Sequence, residues 1–116
     1  LRDGAARPVT VMDTTEVVDA RFLGEGEPVD GAPSRRSALA EWLTTPSNPY
    51  FAKTAVNRFW AVLFGYGFVH PIDDFGDHNP ASHPALLDLL AADFATHGYD
   101  ARRLVRILAN TRAYGR

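Results

Sequence analysis

A mainly α-helical fold, about four helices in a compact orthogonal or bundle-like arrangement behind a short N-terminal extended or β segment, is what this sequence predicts. Three observations carry that expectation. Apolar residues recur at helical spacing in four stretches after Ser34, each stretch begins or ends at Ser, Asn, Asp, Pro or Gly, and the β-branched runs that suit strands lie before residue 24.

The elements follow in chain order. Pro8 to Met12 and Val17 to Leu23 are short apolar runs broken by Gly24, Gly26, Pro28 and Gly31, which predicts one or two short strands or an extended arm. Residues 1–30 carry three basic and seven acidic groups, whereas 31–116 carry nine and seven, so a boundary is expected near Gly31 to Pro33. The predicted division is therefore 1–33 as β segment and linker and 34–116 as the helical domain. Ser34 is the candidate cap of a first helix over about 35–44, with Ala38, Leu39, Trp42 and Leu43 on one face and Pro46 beyond its end. Asn48 with Pro49 starts the second, because Asn caps through its side-chain oxygen and Pro at the first helical position loses only an N–H without a helical partner. That helix runs to Phe64 and stops at Gly65. Its apolar surface leaves only Lys53, Thr54, Asn57 and Arg58 as a polar strip, which marks it as the central, most buried helix. Residues 65–82 hold three Gly and two Pro and read as a long loop. Ser82 is expected to cap the third helix, whose stripe is Leu86, Leu87, Leu90, Ala91 and Phe94, closed by Gly98. Asp100 caps the fourth, with Leu104, Val105, Ile107 and Leu108 inward and Arg102, Arg103 and Arg106 outward. Leu1 in place of an initiator Met, and an end at Arg116 inside what still reads as helix, predict a piece of a longer protein.

Composition narrows the function classes. Twelve Lys and Arg against fourteen Asp and Glu give a net charge of −2, which disfavours generic nucleic-acid binding. No apolar run approaches the roughly 20 residues of a membrane span. With no cysteine, thiolate catalysis, zinc-thiolate sites, iron–sulfur clusters and covalent haem attachment are all excluded in this chain.

The loop carries the densest chemistry. His70, Asp77, His78 and His83 are a candidate nitrogen and oxygen ligand set for a divalent metal, although their spacing fits no established motif. The ordinary alternative is that the carboxylates accept backbone N–H groups in turns while the imidazoles lie at the surface. Asn57 and Arg58, in the polar strip, are expected to be partly buried and to need partners. Asp73 or Asp74 is the natural partner of Arg58, either as a bidentate clamp over the helix or as the edge of an anion site. A buried clamp of that kind predicts a loss of about 3 kcal/mol or more on removing Arg58. Trp60, with the other rings, is either core or a platform for carbohydrate or another surface ligand. The third and fourth helices resemble a helix-turn-helix, with Arg102, Arg103 and Arg106 early in the second helix, which keeps DNA binding as a further alternative.

A longer ordered series of residues carries a family resemblance. Arg35-Arg36, Leu39 to Leu43, Pro46, Asn48 to Ala52, Val56-Asn57-Arg58, Trp60, Phe64-Gly65, Gly67, Asp73-Asp74-Phe75, Asn79-Pro80, Ser82-His83-Pro84, Gly98-Tyr99 and Tyr114 resemble the domain of unknown function 1553. The resemblance spans about 34–116. It implies a module near the end of large exported planctomycete proteins that also carry a cytochrome c-like module, hence a periplasmic or surface location and haem only in other domains. No catalytic residue comes with the family. Many relatives have Arg between the two glycines where this chain has Tyr66. The expected role is a non-catalytic structural or binding module whose partners are neighbouring domains of the same protein. The alternative is a metal- or anion-binding part of an enzyme, using the 70–83 loop.

Overall fold

The computed structural model describes residues 9–19, 21–23 and 34–115. The expected linker near Gly31 to Pro33 lies outside these residues. The chain is mainly α: β1 (Val9–Thr10) and β2 (Val17–Val18) precede α1 (Arg35–Thr44), α2 (Phe51–Phe64), α3 (Pro84–Thr96) and α4 (Ala101–Ala109). It divides into two compact units, Leu1–Thr45 and Pro46–Arg116.

In the first unit the strands pair antiparallel, Val9 with Val18 and Thr10 with Val17. Asp13 turns the chain with a positive φ of 63°, and the Thr14 hydroxyl donates to the Val11 carbonyl and accepts from the Glu16 N–H. In α1, the Ser34 hydroxyl accepts from the Ser37 N–H at 3.0 Å, the cap its position predicts. Trp42 of α1 stacks on Phe22, with ring centroids 5.0 Å apart and planes 3° from parallel. No residue of α1 is fully buried.

The second unit is three helices on one core. α2 packs against both α3 and α4, as its broad apolar surface predicts. Val56, Leu87, Phe94, Leu104 and Leu108 are at the centre, with Phe59, Trp60 and Leu63 packed on them. Asn48 accepts from the Tyr50 and Phe51 N–H groups at 2.9 and 3.0 Å, and Tyr50 already has right-handed helical angles; α2 itself starts at Phe51, with Pro49 in the turn before it. Gly65 ends the helix at φ 85°, a conformation that strains any residue with a Cβ. His83, not Ser82, occupies the cap position of α3, with Pro84 opening the helix. Ser82 is instead held back by its own N–H, which donates to the Phe68 carbonyl at 2.8 Å.

The α3 to α4 connection is a Schellman turn. Tyr99 N–H donates to the Phe94 carbonyl and Gly98 N–H to that of Ala95, with Gly98 at φ 65° and Tyr99 at φ 59°. The accompanying apolar contact is the Tyr99 ring on the edge of Phe94, centroids 5.5 Å apart. Asp100 then caps α4 by accepting from the Arg102 and Arg103 N–H groups. The Arg103 N–H, then the Arg102 N–H, hold its carboxyl below the usual carboxylate range, helped by the charges of Arg106 and Arg102.

Two expectations for the last helix need correction. It ends at Ala109 and residues 110–115 form turns instead of further helix. Val105 does not face the core: Leu104 and Leu108 fill the inner positions, and Val105 shares the outer surface with Arg102 and Arg106. Arg103 is half-buried and bridges back to Asp93 of α3 at 2.7 Å, while Asp88 pairs with Lys53 of α2 at 2.6 Å.

Leu108→Ala removes a side chain with no exposure, so we expect a stability loss of about 2–5 kcal/mol in chemical denaturation. The Asp100 cap has a pH signature. Because its folded-state pKa is lowered, its ionic contribution is complete above the ordinary carboxylate pKa and is lost as pH falls through the folded value. Asp100→Asn, which keeps an accepting oxygen, should therefore melt lower than the parent at neutral pH, with the gap closing as the solution is acidified below pH ~4.

Candidate functional site

The polar strip of α2 and the 65–82 loop meet through two very different interactions. Asn57 has no solvent exposure at all. Its amide Nδ2 donates to the carbonyls of Val69 and Ile72 at 2.9 and 2.8 Å, and its Oδ1 accepts from the Val69 N–H at 3.0 Å. One side chain thus supplies three hydrogen bonds that the buried loop backbone cannot make to water. Gly67 lets the chain come this close: a Cβ there would lie 2.7 Å from Asn57 Oδ1 and 2.5 Å from the Val69 carbonyl oxygen.

Arg58, one residue on, makes the expected bidentate contact with Asp73. Nε donates to Oδ1 at 3.0 Å and a terminal nitrogen to Oδ2 at 2.7 Å. The expected burial is not found. The two side chains are 61% and 59% exposed, because Asn57 takes the inward direction and leaves its neighbour about 100° round the helix in solvent.

Asp74 organises the tip of the loop. Its Oδ1 lies 3.0 Å from His78 Nε2, and Asn79 Nδ2 donates to its backbone carbonyl at 3.0 Å. Asn79 N–H donates to the Gly76 carbonyl at 2.9 Å, closing a tight turn with Asp77 exposed at its apex. The His78 ring covers Gly76 so closely that a Cβ would sit 2.6 Å from it. His70 is exposed and lies against Tyr66, centroids 4.3 Å apart with the ring planes tilted by 41°. His83 Nδ1 is 3.2 Å from the Ser82 hydroxyl, and its ring meets the edge of Phe68.

The candidate ligand set does not gather in this arrangement. Among the described residues, no three His, Asp or Glu side chains are placed to share a metal ion. Asp77 and His78 share the Gly76 to Asn79 turn, whereas His70 lies against Tyr66 and His83 beside Ser82. Asp74 with His78 and Ser82 with His83 are two separate pairs, so neither of these two imidazoles links a hydroxyl to a carboxylate. Trp60 stacks with Phe64 at 4.1 Å and lies 4.2 Å from Phe68, so it supports the loop from the core side. Two shallow clefts flank the Lys53–Asp88 bridge, one of about 200 Å³ along Ala52, Ala91 and Ala95 and one of about 170 Å³ beside Phe75 and Asn79. Neither cleft is legible in the sequence, because both depend on where the loop and the start of α2 cross α3.

A family model described as "PSD1: Protein of unknown function (DUF1553)" matches residues 35–116. No curated protein and no solved structure matches the chain.

Neighbouring substitutions should separate sharply. Asn57→Ala takes the partner from the buried Val69 N–H and carbonyl and from the half-buried Ile72 carbonyl, at ~1–3 kcal/mol for each buried group left unsatisfied, so a loss of about 2–6 kcal/mol is expected in urea titration. Arg58→Ala removes an exposed pair and should cost only about 0–1 kcal/mol in the same titration.

Proposed function

We propose that this chain, which belongs to the PSD1 (DUF1553) family of proteins of unknown function, is a non-catalytic structural or binding module of an exported, redox-linked multidomain protein. The observation that carries this reading is how the loop's polar side chains are engaged. Asn57 is bound to backbone, Arg58 pairs with Asp73, and the Asp74 carboxylate meets His78 and Asn79, so these groups already serve to hold the loop in place. The wider setting, export and a cytochrome c-like module elsewhere in the polypeptide, is what the family resemblance implies, and in it haem and redox chemistry belong to other domains. Neighbouring domains of the same polypeptide are then the natural partners.

The test is elemental analysis of the purified chain, followed by thermal melts with divalent metals and with a chelator. A ligand specific to the folded state adds about 2.7 kcal/mol at a hundredfold excess over its dissociation constant, which a melt resolves readily. We expect no stoichiometric metal and a melt unmoved by chelator. Stoichiometric metal with a chelator-sensitive melt would overturn the proposal in favour of a metal site in the 70–83 loop.

A further inference from the structure

We draw no further inference here: the strongest candidate, the cleft of about 170 Å³ between the 65–82 loop and α3 beside the Lys53–Asp88 bridge, carries nothing because its two charged side chains are already paired with each other and nothing among the described residues shows what would fill it.

Discussion

Asn57 makes the rest of the second unit possible. The backbone after Gly65 must turn under the end of α2 and climb back across it, which places Phe68 and Val69 in the interior with polar groups that no strand or helix satisfies. A buried N–H or carbonyl without a partner carries a penalty comparable to a lost hydrogen bond. The carboxamide has a donor and an acceptor end, and both are used: one meets the Val69 N–H, the other the carbonyls of Val69 and Ile72. With the loop fixed there, Phe68 can close the core against Trp60, and the Phe68 carbonyl can receive the Ser82 N–H just ahead of α3.

The same economy governs the α3 to α4 corner. Phe94 serves three contacts: its ring packs on Phe59, its carbonyl takes the Tyr99 N–H, and its edge meets the Tyr99 ring. Asp93 next to it binds Arg103 across the corner and is approached by His97 at 3.3 Å. Apolar and polar fastenings therefore lie side by side on consecutive residues, and the angle between the two helices is set by both.

The four helices were legible because caps and breakers act locally. Ser34, Gly65 and Asp100 do what their side chains or missing Cβ dictate wherever the rest of the chain goes. That Arg58 pairs with Asp73 or Asp74 was legible too, as a cation on a helix beneath an acidic loop, though not which of the two. The pair's exposure was not, because which of Asn57 and Arg58 points inward depends on the rotation of α2 against the loop, a tertiary quantity. Ser82 failed as a cap for the same kind of reason, its backbone being drawn toward Phe68. Periodicity alone also placed Val105 inside, since Leu104 and Val105 are adjacent apolar residues and only packing against α2 decides between them. Of the His and Asp residues of the loop, His78 meets Asp74 while His70 lies against Tyr66 and His83 beside Ser82, a sorting that composition does not carry.

The distances along the chain spanned by these fastenings bear on how the unit assembles. Asn57 reaches Val69 and Ile72, 12 and 15 residues away, and Arg103 reaches Asp93 over 10. Closing such loops carries an entropy that grows only with the logarithm of their length. A topology dominated by near-neighbour contacts has low contact order and belongs with the faster-folding architectures. The seating of α4 on α2 is the longest closure among these, and it comes after a short corner whose direction the Schellman turn has already fixed.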